Sequence, residues 1–446
     1  MTAKARPLPF MGWLHHPFHL ILGAALVAGL AITGRLLSDG ATSAPNRTET
    51  IAIRSESVRT IEALQSRLAR TPEDARAYAQ LGIAYLRLIR DTADTSLYSR
   101  AQEAFDTALK LDPQNSDALA GRGALALSLH DFSGALEWAD RLLAVNPYRA
   151  EAYGIRADAQ IELGEYEAAA VSLQQMVDLR PGLESYSRIS YLRELHGDGP
   201  GAIEAMRMAV ENAAPGTEPW LWTLTHLGHL YRTQNRLDEA IQIYDQVLAV
   251  RSDYAFAVAG LARIRAAQGK TAAAIALLAP TAERLPLPEF LILLGELYQV
   301  SGEATRAQEQ YELVRVIQQL NAAAGMAVDL ELATFEVLYG DDPEAALDAA
   351  QKAYRERPTL SAADTLAWAL YRNGYYREAQ LYSQKALRLG TRDTLLYLHA
   401  GLIAQALGEM TAAREYLDTA HAINPYPSPL AAQQLATARG EWVQRR

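Results

Sequence analysis

Residues 227–244 read LGHLYRTQNRLDEAIQIY, and Leu227, Gly228, Tyr231, Ala240 and Tyr244 stand in it in that order. The spacing predicts two antiparallel helices that approach closely where Gly228 and Ala240 remove side-chain bulk, with aromatic rings filling the space beside them. One such pair buries too little to stand alone. A fully buried leucine or aromatic is worth roughly 1.5–3 kcal/mol, and a few of them do not offset the chain entropy of some thirty residues. Neighbouring pairs must therefore supply the missing burial.

Outward from this stretch the pattern recurs about ten times. Pro113, Pro147 and Pro181 mark successive unit ends at equal intervals of 34 residues. Before them, a first unit carries Tyr78, Leu81, Gly82 and Tyr85, then Ala101, Phe105 and Ala108, with extra residues in IRDTADTSLYSRA between the two halves. After the opening stretch come Leu261 and Ala274, then Leu294, Gly295, Tyr298, Ala307 and Tyr311, and later Ala346 with Ala353, Ala379 with Ala386, and Gly401 with Ala413 and Ala420. Two irregularities interrupt the register, AAPGTEPWLW at 213–222 and a weakly spaced segment at 316–346. Ala and Leu dominate the apolar half of the composition, as suits an all-helical chain.

In spacing and period these units resemble the tetratricopeptide repeat, and the chain resembles bacterial membrane-anchored proteins built from it. The resemblance implies an all-α, right-handed superhelical solenoid of about ten helix pairs over residues 73–425. It also implies a concave groove lined by the first helix of each pair, where partners' peptides or helices bind. Projecting groove positions onto this sequence gives Glu151, Asp158 and Glu162 in unit three and Glu184, Tyr191 and Glu194 in unit four. Unit five contributes Trp222, His229 and Arg232, unit seven Glu289, Glu296 and Gln299, and unit nine Asp364, Trp368 and Tyr371. Such a groove is acidic with aromatic faces, and suits a basic protein or peptide segment. The carboxylate clamp of heat-shock co-chaperones needs Lys and Asn where this chain has Ala120, Ala124, Gly154 and Asp158, so that role is not expected.

The ends are organised differently. Residues 18–34, FHLILGAALVAGLAITG, have only His19 and Thr33 as polar side chains, following a basic segment at 1–17. An uncleaved transmembrane anchor is the preferred reading, while a cleaved signal ending near Ser43 and a buried or surface helix stay open. The balance of basic residues favours a cytoplasmic amino terminus, which would place the repeats outside the cytoplasm. Residues 35–55 then read as a flexible tether, 56–72 as an N-terminal capping helix, and 426–446 as a C-terminal capping helix opened by Ser428 and Pro429.

Chemistry is harder to find. The chain has no cysteine, which removes disulfides and thiolate sites. Its net charge of −10 argues against nucleic acid as the main ligand. Neither His15, His16 and His19 nor His226 and His229 gather enough further donors for a metal. No phosphate loop, nucleophile elbow or paired-carboxylate motif stands out, so neither cofactor nor catalysis is expected. Two functional readings remain: a membrane-tethered interaction scaffold, and a permanent assembly or regulatory subunit of a cell-envelope enzyme, such as a polysaccharide or secretion machine. Self-association is left open.

Overall fold

The computed structural model describes residues 47–92 and 94–444. Among them are 22 α-helices, one 3-10 turn and no strand. The first helix, α1, spans Arg47–Arg70, so nine residues expected as tether, 47–55, are helical. The expected anchor at 18–34, the segment before it and residues 35–46 of the tether lie outside the described residues. No described helix is long and apolar enough to cross a membrane.

Ten helix pairs follow. They are α2 (Ala75–Thr92) with α3 (Tyr98–Leu111), α4 (Ser116–Ser128) with α5 (Phe132–Val145), and α6 (Ala150–Glu162) with α7 (Tyr166–Leu179). Next come α8 (Leu183–Leu195) with α9 (Gly199–Glu211), α10 (Glu218–Thr233) with α11 (Leu237–Val250), and α12 (Ala255–Ala267) with α13 (Thr271–Arg284). The series closes with α14 (Pro288–Val300) and α15 (Ala304–Ala323), α16 (Asp329–Tyr339) and α17 (Pro343–Glu356), α18 (Leu360–Arg372) and α19 (Tyr376–Ala386), and α20 (Thr394–Ala406) and α21 (Met410–Ile423). A last helix, α22 (Pro429–Gln444), covers the end.

The signature residues do the packing their sizes suggest. The ring of Phe105 on α3 sits between Gly82 of its own pair and Gly121 of the next, and the ring of Tyr244 on α11 sits likewise between Gly228 and Gly260. A Cβ on Gly82 or Gly228 would come within 2.5 Å of the ring beside it. Ala101, Ala135, Ala169 and Ala240 are fully buried at the equivalent closest approach of helix to helix. In eight of the pairs one residue of the turn between the two helices takes the left-handed conformation. Gly164, Gly197, Gly269 and Gly302 do so, but His130 and Asn235 occupy the same place at φ of 59° and 58°.

Sequence irregularities become differences in helix length. The extra residues of the first unit lengthen α2 to 18 residues and add a 3-10 turn, Thr95–Leu97. Those before the opening stretch make α10 16 residues long, against 13 for α6. The weakly spaced segment extends α15 to 20 residues, and the loop at 324–328 follows it.

That loop meets the far side of the molecule. The backbone N–H of Ala327 donates to Leu129 O at 2.9 Å, and His130 Nδ1 lies 3.0 Å from Ala327 O, 197 residues apart in sequence. Arg357 pairs with Glu162 at 2.6 Å across 195 residues. The N–H of Leu360 donates to the Tyr166 hydroxyl across 194, and the Asn424 amide to Arg232 O across 192. A nearly constant offset of about six 34-residue units is what one turn of a superhelix touching the next produces. The edge carrying the intra-pair turns of pairs two to five therefore lies against the edge carrying the inter-pair loops of pairs seven to ten.

Apolar contact seals this seam. Ile161, Tyr166 and Leu195 from the first turn share one buried cluster with Leu360, Leu389 and Leu396 from the second. A Cβ on Gly164 would stand 2.9 Å from Pro358 O, so the turn there is pressed directly against the opposing loop. Along this seam the two superhelical turns touch instead of leaving a gap between them.

Candidate functional site

The inner helices α6, α8, α10, α14 and α18 carry every projected groove residue, and the structure divides those residues into three groups. The first is consumed by the seam. Glu162 stands at the end of α6 and bonds Arg357, which also holds Glu331 at 3.2 Å and stacks over Phe132. Burial pushes the Glu162 carboxyl up while the Arg357 charge opposes it. Tyr191 packs against the seam cluster. Glu194 on α8 is pushed up to about 8, first by burial and then by the charge of Asp393, which leads into α20 and is itself raised to about 6. These are structural positions rather than open groove, because the second superhelical turn lies against them.

The second group is paired within the inner wall. Asp158 accepts a bidentate contact from Arg188 on α8 at 2.8–3.0 Å. Glu151 is exposed and pairs with Arg149 at 2.8 Å, and the Glu184 backbone carbonyl accepts from Arg188. Gln299 accepts from the Tyr311 hydroxyl at 3.1 Å. Glu296 is buried, taking bonds from the Tyr339 hydroxyl at 2.8 Å and the Ser428 hydroxyl at 3.0 Å. Asp364 bonds His399 at 2.9 Å, and Trp368 is stacked between His399 and Tyr371 at centroid distances of 4.2 and 4.5 Å. The expected acidic stripe thus loses much of its free charge to arginines and hydroxyls of the chain, and a preference for a basic partner does not follow from it.

In the third group Trp222, His229 and Arg232 are half-buried and Glu289 is exposed. Trp222 lies against His226 at 4.0 Å, and His226 meets His229 edge-on. His229 Nδ1 is 2.7 Å from the Tyr244 hydroxyl. Burial brings His226 down to about 4 and holds His229 well below the usual imidazole range, so both are neutral at pH 7. Arg232 follows on the same helix, and Arg263 stands on α12, the inner helix of the next pair. Glu289 stands in the first turn of α14.

Projection missed Arg263, Arg188, Arg357, Asp393, His399 and Tyr339. Arg263 had a signal: it lies 34 residues after His229, at the same place in the next unit. Arg357 had none, because its role depends on the superhelical return. No cluster of three or more His, Asp or Glu able to hold a metal ion occurs among the described residues.

Family models described as tetratricopeptide repeat match residues 86–150, 126–184, 231–297 and 359–392. Cellulose synthase 1 operon protein C of Komagataeibacter xylinus is 26% identical over 252 residues, covering 55% of this chain. The match spans 17% of that relative's length. Among solved structures, yeast Tom70 is 15% identical, with 89% of this chain and 96% of that one covered and a TM-score of 0.38. YrrB, described as a TPR protein with an unusual peptide-binding site, is 18% identical over 44% of this chain and 96% of that one, with a TM-score of 0.29.

Proposed function

Because the chain is a tetratricopeptide-repeat protein, we propose that it works as a non-catalytic interaction scaffold, tethered to a membrane through residues 18–34 and capturing a protein partner on its inner wall. The observation that carries this reading is the array itself. Ten pairs place ten inner helices side by side, and an extended surface of that kind suits recognition of a chain rather than turnover of a small substrate. The touching superhelical turns narrow the mode of binding. A partner reaches the wall of pairs five to seven from an open end, or binds the outer face, instead of lying along a fully open groove.

A second reading is favoured by the relative from the cellulose synthase operon. On that reading the array is a permanent subunit of an envelope polysaccharide machine, its repeats placed outside the cytoplasm. Purification of the full chain from detergent-solubilised membranes separates the two. A variable set of partners lost as salt is raised supports the recruiting scaffold, and a stoichiometric partner surviving high salt supports the permanent subunit. A chain that purifies alone at low salt overturns both.

A further inference from the structure

On the inner helices of pairs two to four, every arginine has a carboxylate. Arg122 has Asp106, Arg156 has Asp140, Arg188 has Asp158 and Arg193 has Glu204. Pair one differs. Its inner helix α2 carries Arg76, Arg87 and Arg90, all exposed, and among the described residues none of these side chains has an ion-pair or hydrogen-bond partner. No Asp or Glu occurs between positions 76 and 90. The acids flanking this helix are already in use. Asp74, just before it, pairs with Arg67 at 2.6 Å and accepts from the Ala77 N–H, and Asp117, the one acid of α4, holds Arg149 at 3.0 Å.

Spacing gathers these charges on one face. Positions 76, 83, 87 and 90 fall within about 60° of one another around a helix of 3.6 residues per turn. The member between the arginines, Ile83, is 38% exposed. Ala77, Leu81, Ala84, Tyr85 and Ile89 are buried on the remaining faces, where α2 packs on α1, α3 and α4. A large apolar side chain among unpaired guanidiniums offers two kinds of contact at once. Covering Ile83 removes apolar surface from water, and the guanidinium forks give carboxylates directed, charge-assisted bonds. The sign of the charge selects the occupant. In a chain of net charge −10, an acidic segment is repelled by the protein as a whole and attracted to this face. Residues 1–46 carry Lys4, Arg6 and Arg35 against one acid, Asp39, so that stretch has the wrong sign to cover it.

We propose that the face of α2 formed by Arg76, Ile83, Arg87 and Arg90 docks an acidic segment of a protein partner, one that carries apolar side chains among its carboxylates. It rests on the scaffold reading and gives the partner a chemistry opposite to the basic segment that the acidic positions of pairs three to nine suggest. Docking there also needs none of the wall that the seam occupies, since pair one precedes the turns that touch.

The test is fluorescence anisotropy of a labelled peptide, acetyl-Glu-Glu-Leu-Glu-Glu-Leu-Glu-Glu amide, titrated with the full chain in phosphatidylcholine nanodiscs. Saturable binding is expected, weaker by about threefold in each of Arg76→Gln, Arg87→Gln and Arg90→Gln, by about thirtyfold in the triple variant, and weakening further as salt rises. Ile83→Ser should weaken it about fivefold, and a peptide with serine in place of each leucine should lose the same factor on the unsubstituted chain but nothing more on Ile83→Ser. Arg100→Gln, at an exposed arginine on the second helix of the pair, should leave affinity unchanged. The substituted side chains are all exposed, so helicity and melting should stay the same in every variant. Absence of saturable binding, or equal binding by the triple variant, overturns the site. Amide-exchange protection of α2 that appears only when phosphatidylglycerol is added to the discs would give the face to the bilayer, and self-association abolished by the triple variant would give it to a second copy; either result overturns the proposal. Partners that co-purify equally with the triple variant would remove this face and keep the scaffold reading, whereas a chain that purifies alone yet binds the peptide would do the reverse.

Discussion

The glycine–aromatic core and the seam bury the same kinds of side chain at different sequence distances. Tyr244 is held by Gly228 and Gly260, both within one repeat length. Tyr166 and Leu195 instead meet Leu360, Leu389 and Leu396, about six units away. The core is local and repeated in every pair, so it makes a solenoid. The seam is non-local and made once, so it decides whether that solenoid is an open spiral or one whose turns touch.

The comparison can be tested at its strong end first. Tyr244→Ala empties the space between Gly228 and Gly260 and should cost about 3–5 kcal/mol in urea unfolding. A loss below about 1 kcal/mol would mean that pairs five and six are not joined through that ring. Arg357→Ala leaves Glu162 and Glu331 facing one another without a cation and should cost about 2–3 kcal/mol, less than a fully enclosed pair because all three groups retain some solvent. Its signature is a larger radius of gyration and faster amide exchange at Ala327, with helicity kept. Unchanged exchange there would remove the seam as a stabilising contact.

The pH dependence follows from Glu194, raised to about 8, and Asp393, raised to about 6, each above its usual range near 4. The folded chain holds these protons more tightly than the unfolded one. Their stabilisation is complete below about pH 4 and is lost as pH rises towards 8. Glu194→Gln should therefore flatten the fall in melting temperature between pH 5 and 8 and raise it at pH 8 by roughly 2–4 °C. A steeper fall in the variant would reverse the assignment. The smallest effect is expected at Glu151, whose pair with Arg149 is exposed: Glu151→Lys should change stability by no more than about 0.5 kcal/mol. A larger change would place Glu151 in a contact like that of Glu162.

Much of the fold was legible because its signals are short-range. Gly82 with Phe105, the 34-residue proline period, and Ser428–Pro429 before a last helix each concern residues that meet within one or two units. The groove residues were legible only as a register. Placing Glu151, Asp158 and Glu162 on one helix was sound, but treating them as one open face was not, since their partners come from α5–α6, α8 and the α17–α18 loop respectively.

By itself the sequence determined that this chain is a stack of about ten helix pairs, because each pair's closest contacts are written within a window of some seventy residues. Only the tertiary structure decided that Glu162, Glu194 and Leu195 are spent on a seam. The reason is accumulation. A small rotation per repeat has no mark in any one unit, yet over about six units it brings one edge of the solenoid against the other.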